Sequence, residues 1–269
     1  MGISRKGDAL TKGIVQIVTL AFIFWLEGVL PFFEKRQHRL RRAFPNITFG
    51  ILNGVLTAFL FSTVTYQAMT WSASHSFGLF HRLNMSPWMK GVLAFVSFDL
   101  WMYGWHRANH ELPFLWRFHR VHHSDIDMDS TTALRFHAGE IILSSLVRLP
   151  VVALLGISFG QLALYEICLQ PVILFHHSNV RLPERIDQIF RAVIVTPNMH
   201  RVHHSQVMNE TNSNYSSIFS WWDRLVQTFQ RREDTRTIRY GLPYLREAHW
   251  QSLSGMFKTP FVAPKALST

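Results

Sequence analysis

The chain has 269 residues, 48% of them apolar and only 16% charged, with 22 Phe, 9 Trp and a mean hydropathy of +0.08. That composition excludes a disordered chain, a fibrous repeat and a coiled coil. A lone cysteine, Cys168, excludes an intramolecular disulfide and any cysteine-rich zinc or iron–sulfur site. The net charge of +10, in so apolar a chain, points to anionic lipid headgroups and away from nucleic acid.

Four stretches are apolar enough to enter a bilayer, whose core takes about 20 helical residues to cross. The first runs from Gly13 to Phe33 and is too long and too late for a signal peptide. The second, Phe49 to Met69, carries no charge and shows no polar face. The third runs from Trp88 to Trp105, with Lys90 and Asp99 as its charges. The fourth, Ile141 to Phe175, is interrupted by Arg148, Pro150, Gly156 and Gly160, and reads as a helical hairpin or two short helices. Lys35, Arg36, Arg39, Arg41 and Arg42 place the first loop in the cytoplasm, against a weaker contrary signal from Arg5, Lys6 and Lys12. Everything just after Trp105, and everything from His176 onward, then faces the cytoplasm. The expected fold is all-α: a membrane helical bundle of about four spans or span-hairpins, with a cytoplasmic helical cap carrying a histidine-rich dimetal site. The expected division is 1–105 for N-terminal transmembrane helices, 106–240 for a catalytic region with the hairpin 141–175, and 241–269 for a tail, disordered after Gly255.

Fifteen histidines are far more than an ordinary share, and most lie between His106 and His204. His106 and His110 stand four apart. His119, His122 and His123 sit in H-R-V-H-H-S, and the same six residues return with His200, His203 and His204, 81 positions later. On a helix, residues at i, i+3 and i+4 share a face, so each box is expected to aim its imidazoles at one point. Imidazole is the commonest side-chain ligand for transition metals. Packing so many imidazoles without a metal strands their nitrogens or their charge. His176 and His177 follow the hairpin, and one of the two is expected to ligate. His137 is open as a ligand, a group behind a ligand, or a cap near Glu140. His38, His75, His81 and His249 stand alone and read as surface residues. Eight to ten imidazoles exceed one ion's four to six ligands and suit two ions, with zinc, iron or copper as the choice.

The order H-x-x-x-H, H-x-x-H-H and a late H-x-x-H-H among membrane spans resembles the fatty acid hydroxylase/sterol desaturase superfamily. So do the words F-D-L-W-M-Y-G-W-H-R-A-N-H, T-A-L-R-F-H, H-S-N-V-R-L-P, T-P-N-M-H-R-V-H-H-S and W-W-D-R-L-V-Q-T-F, over roughly residues 90–240. The resemblance implies an integral membrane oxygenase with a histidine-bound pair of iron ions, using O2 and two electrons to hydroxylate or desaturate a lipid. Fatty acyl, sterol, ether lipid and carotenoid substrates all stay open. Carried over position by position, its ligands are His106, His110, His119, His122, His123, His177, His200, His203 and His204, with His137 and His176 beside such positions. Zinc is an alternative occupant in purified protein, because imidazole sites accept it readily. Two departures, Gln227 and Ser216 where glycine is common, bear on backbone shape and not on metal binding.

Behind the ligands, Asp99 is expected to orient an imidazole or to pair with Arg107 or Arg148, since a carboxylate inside a span needs a partner. Asp223 is expected to do likewise or to pair with Arg224, and Asn179 to reach a metal through water or to form a turn. Arg120 and Arg201 are expected to turn toward solvent or carboxylates. Phe95, Phe98, Trp101, Trp105 and Phe175 are candidate walls of a lipid tunnel. The sequence shows no haem or flavin motif, so a separate electron-transfer protein is expected. Arg231, Arg232, Arg236 and Arg239 are available to dock it or to anchor the membrane surface. The expected setting is a bacterial inner membrane. The competing class is a zinc-dependent membrane hydrolase or a metal transporter; no H-E-x-x-H is present and no histidine box contains an acidic residue.

Overall fold

The computed structural model describes residues 5–34 and 38–263, so Lys35, Arg36, Pro264 and Lys265 lie outside the described residues. Among the described residues helices are the only regular elements, with isolated bridges such as Pro31 with Val180 in place of strands. Helix α1 spans Arg5–Val29, α2 Arg39–Leu60, α3 Ser62–Ser74, α4 Leu79–Arg82, α5 Pro87–Glu111 and α6 Pro113–His123. A 3-10 turn, Ser130–Leu134, leads to α7 (Ala138–Leu155) and α8 (Phe159–His177). Helices α9 (Glu184–Arg191) and α10 (Pro197–His203) follow, then the short α11 (Met208–Thr211), α12 (Trp221–Leu225) and α13 (Leu253–Lys258).

Three helices are long and apolar enough to cross a membrane: Leu10–Val29 within α1, α2, and α7. Little of their surface is buried within the protein, and Ile17, Phe22, Trp25, Val55, Phe59 and Leu154 stand exposed, as lipid-facing residues do. The third apolar stretch falls inside α5, which is long enough but carries Lys90, Asp99, Arg107 and two histidines, and it is not among the three. The fourth folds as two helices, α7 of 18 residues and α8 of 19, joined by a tight turn. It turns at Gly156, whose left-handed φ of 73° closes α7, while a Ser158–Gln161 capping box starts α8. The uncharged second stretch is not one continuous helix: it breaks at Phe61, and α2 begins ten residues before Phe49.

The two ends of the bundle differ in chemistry. At one end Glu27 of α1 accepts from the backbone of Ser130 and Asn179, both at 2.8 Å, and pairs with Arg39 at 2.8 Å. Arg42 lies 3.7, 3.5 and 3.4 Å from Asp125, Asp127 and Asp129. At the other end Ser72 donates to the Phe77 and Ala153 carbonyls, and Gly78 lies against the Gly156 backbone. Between them Glu166 of α8 is held by Lys12 of α1 at 2.7 Å and Arg148 of α7 at 2.9 Å. Arg148 therefore serves Glu166 and not Asp99, and Arg107 serves Glu111 at 2.7 Å.

The expectation of disorder after Gly255 is overturned up to residue 263. Met256, Thr259 and Pro260 are buried, and Arg120 donates to the Thr259 and Val262 carbonyls. Arg120 and Arg201 turn not toward solvent but toward backbone carbonyls. Both are 1% exposed and cap backbone carbonyls; Arg201 donates to those of Ser178 and Val180 and lies 3.9 Å over the Phe32 ring. A buried guanidinium needs several acceptors, and carbonyls at loop ends supply them. The candidate tunnel aromatics are packed into the apolar interior of the bundle. Phe95 and Phe98 sit 5.0 and 4.9 Å from Tyr165, Trp101 stacks on Trp105, and Phe175 flanks the Ile23–Leu174 cluster.

Candidate metal centre

The two H-x-x-H-H boxes reach the site on short helices with defined starts. Pro113 opens α6, and Thr196 caps α10 with Pro197 at its first position, where a missing N–H costs nothing. His106 and His110 lie on the last two turns of α5, His119, His122 and His123 on α6, His177 at the end of α8, and His200 to His204 on α10 and its cap. The nine imidazoles form two groups, one of His106, His110, His119, His123 and His203 and the other of His122, His177, His200 and His204. Within each group the candidate nitrogens all lie within 4.8 Å of one another. The boxes therefore do not each aim at one point. Residues i+3 and i+4 are about 100° apart around a helix, and both boxes straddle the two groups: His119 and His123 go one way and His122 the other, while His203 parts from His200 and His204.

The donor set fits metal ions. Transition metals hold imidazole nitrogen at about 2.0–2.1 Å, so two such nitrogens at right angles on one ion lie about 3.0 Å apart. His177 Nε2 is 3.0 Å from both His122 Nε2 and His200 Nε2. The His177 Nδ1–H donates to the Ile173 carbonyl at 2.8 Å, so its Nε2 presents a lone pair to the group. Similarly, His106 Nδ1 donates to the Tyr215 carbonyl at 2.7 Å and His203 Nδ1 to that of Ser213 at 2.6 Å. His119 Nδ1 meets Glu140 Oε1 at 2.8 Å. The Nε2 atoms of His119, His123, His203 and His204 are buried with no hydrogen-bond partner in the protein. A buried polar nitrogen without a partner is costly, and a cation in each group removes that cost. Burial first, and neighbouring imidazoles second, hold His122, His123 and His204 well below the ordinary imidazole pKa; burial brings His203 to about 3. The rings are thus neutral, the state that ligates.

Other candidates take other places. His176 is buried, with its ring 4.1 Å from that of His200, but it is not among the grouped nitrogens. His137 is the N-cap of α7: its Nδ1 accepts from the Gly139 N–H at 3.0 Å, and it joins neither group. Asn179 spends its amide on the Phe33 backbone, at 3.0 and 3.1 Å. Asp99 pairs with neither an imidazole nor an arginine. It accepts from Tyr165 Oη at 2.7 Å, from Trp222 Nε1 at 2.8 Å and from the Ile218 and Phe219 N–H groups, tying α5 and α8 to α12 and the segment before it. Asp223 accepts from the Tyr215 and Ser216 N–H groups and from Thr228, and so holds the carbonyl that orients His106. Burial pushes its carboxyl up from the ordinary range, and those hydrogen bonds pull it back. Sequence reasoning missed Glu140 as a partner of His119, 21 residues away, and missed the aromatic wall. Phe136 lies flat on His122 at 4.5 Å, and Trp116 packs against His110 and His123 at 5.0 and 5.4 Å. No spacing signal links these residues in the sequence.

An all-helical membrane protein with two buried imidazole groups at one end of its bundle is a defined class. The chain belongs to the fatty acid hydroxylase family, whose model matches residues 91–228. It is similar to the alkylglycerol monooxygenase of Homo sapiens, 28% identical over 216 residues, covering 78% of this chain and 45% of that one. It is also similar to the ornithine lipid hydroxylase OlsE of Rhizobium tropici, 30% identical over 223 residues, covering 80% of this chain and 66% of that one. The fatty acid hydroxylase vlmA of Lecanicillium sp is 29% identical over 172 residues, covering 58% of this chain and 46% of that one. The chain thus spans about half to two thirds of the length of these relatives. No solved structure matches it.

Proposed function

We propose that this chain is a membrane-bound oxygenase that uses O2 and two externally supplied electrons to hydroxylate or desaturate a lipid at a pair of histidine-held iron ions. The observation that carries the reading is the convergence of nine buried imidazoles into groups of five and four. The relatives' names, two hydroxylases and a monooxygenase, favour hydroxylation, in which one oxygen atom enters the lipid and the other leaves as water. The residues proposed to hold the ions are those nine, with His176 beside the smaller group as a reserve ligand.

When bound, the ions supply two-electron activation of O2 for attack on an unactivated C–H bond. The protein's part is to hold that chemistry in place. The Tyr215, Ser213 and Ile173 carbonyls and Glu140 fix the ring tautomers. Phe136, Trp116 and Tyr215 shield the imidazoles from water. An apolar crevice of about 220 Å³, lined by Phe49, Leu52, Asn53, Leu56, Ala138 and Phe257, supports a lipid substrate. Asn53, on one wall of the crevice, donates to the backbone carbonyl of Phe136, whose ring lies on His122. Arg39 and Arg42 lie at the histidine end of the bundle, which supports a site facing the cytoplasm. Electrons are proposed to arrive on a separate acidic carrier; Arg231 and Arg232 already serve Glu184 and Glu210, while Arg236 and Arg239 stand exposed. A zinc hydrolase needs a carboxylate at an open metal position, whereas Glu140 faces the outer nitrogen of His119.

Comparative lipid mass spectrometry of cells with and without the chain tests the reading. One lipid class is expected to gain the mass of an oxygen atom or to lose two hydrogens, purified protein to carry two irons per chain, and His203→Ala to abolish turnover. Full turnover by His203→Ala, or zinc alone in protein from iron-replete cells, overturns it.

A further inference from the structure

Glu140 lies in the first turn of α7, where an exposed glutamate would merely favour the helix dipole. It is instead 5% exposed, with Oε1 2.8 Å from His119 Nδ1 and Oε2 without a hydrogen-bond partner in the protein. Among the described residues it is the only carboxylate within ion-pair distance of a grouped histidine. In the four-histidine group His177 is backed by a neutral carbonyl, and the outer nitrogens of His122 and His200 have no hydrogen-bond partner. Asp125, which faces His177 only through space, is paired with Arg42, so the two groups differ by one carboxylate in direct contact with a ring. A carboxylate accepting from the outer N–H of an imidazole fixes its tautomer and raises the basicity of the inner nitrogen. It also offsets part of the charge that two divalent ions bring into a site of neutral ligands.

We propose that Glu140 is the positioning residue of the five-histidine group and makes that group take up the first metal ion more tightly than the four-histidine group. The proposal rests on the metal reading above. Its test is titration of the metal-free chain in detergent with Co2+ alone, followed by visible absorption and equilibrium dialysis. The wild type is expected to bind two equivalents of unequal affinity. Glu140→Gln keeps an acceptor but loses the charge, and is expected to weaken the tighter equivalent about 10- to 100-fold while leaving the other unchanged. Wild-type affinity for both equivalents in Glu140→Gln, or equal weakening of both, overturns the proposal. His123→Ala and His204→Ala assign the equivalents independently of that variant's folding. His123→Ala is expected to remove the tight one and His204→Ala the weak one, and the reverse order overturns the proposal. A wild type that binds no Co2+ overturns the metal reading itself, and this inference with it, which is a distinguishable failure.

Discussion

At the scale of single residues, the positions where a sequence departs from its relatives are informative about backbone. Gln227 replaces a glycine common in the resembling motif, and it adopts a left-handed φ of 62° with its side chain exposed. A side chain in that region costs about 1 kcal/mol relative to glycine. Gln227→Gly is therefore expected to stabilise the protein by up to about 1 kcal/mol, read as a raised Tm in detergent, with metal content unaltered. The acidic and amide candidates teach a different lesson. Asp99, Asp223 and Asn179 attract notice in the sequence because polar groups beside membrane spans need partners. Most of their partners are backbone N–H and C=O groups of distant segments, which leave no mark in composition or spacing. The same holds for Arg120 and Arg201, whose carbonyl acceptors cannot be read from neighbouring letters.

At the scale of elements, periodicity carries far. The two helices α7 and α8, the helical boxes and the apolar α1 are all legible, because a 3.6-residue repeat and a run of uncharged residues are local properties. The break at Phe61 and the early start of α2 are not, since the N-terminal half of α2 is held by Arg42 and Asn46 against the loop after α6. The loop before α4, packed against the turn between α7 and α8, is a sharper case. Gly78 has φ 107°, and a Cβ there would stand 2.6 Å from both the Ala153 carbonyl oxygen and the Gly156 nitrogen. Gly78→Ala is expected to cost about 2 kcal/mol or more. Gly91, inside α5 with open space around it, gives the opposite sign: Gly91→Ala is expected to stabilise by about 0.5–1 kcal/mol. Thermal denaturation of the two variants beside wild type checks the pair.

For the whole molecule, orientation and proton balance are the accessible quantities. In a Cys168→Ser background, Ser76→Cys lies at the end remote from the histidines, and Glu233→Cys on the histidine-bearing side. With that side in the cytoplasm, a membrane-impermeant maleimide on intact cells is expected to label the first, and the second only after permeabilisation. Labelling in the reverse order inverts the topology. The buried imidazoles set the pH response of metal-free protein. His203 titrates near 3 when folded and near 6.5 when unfolded, so between those values the unfolded chain binds more protons and stability falls as pH falls. Each such imidazole contributes a slope of about 1.4 kcal/mol per pH unit. Burial alone would raise the Asp125 carboxyl, but Arg135 and Arg42 outweigh it and hold it at about 2, adding a further loss below the ordinary carboxylate range. The Tm of metal-free protein is expected to drop steeply below pH 6.5, and that of metal-loaded protein to hold to lower pH, because bound metal competes with protons for the same nitrogens.

The way each histidine box divides its side chains has a mechanical consequence. His122 and His123 are joined by one peptide bond yet serve different groups, with ring centres 5.3 Å apart, and His203 and His204 repeat the arrangement at 5.4 Å. The gap between the two groups is thereby gauged twice by covalent geometry, on two separate helices. Swelling of the bilayer, warming or a loosened loop can tilt the bundle, but none of these lengthens a peptide unit, so the spacing on which paired chemistry depends is insulated from the softness of the surrounding lipid.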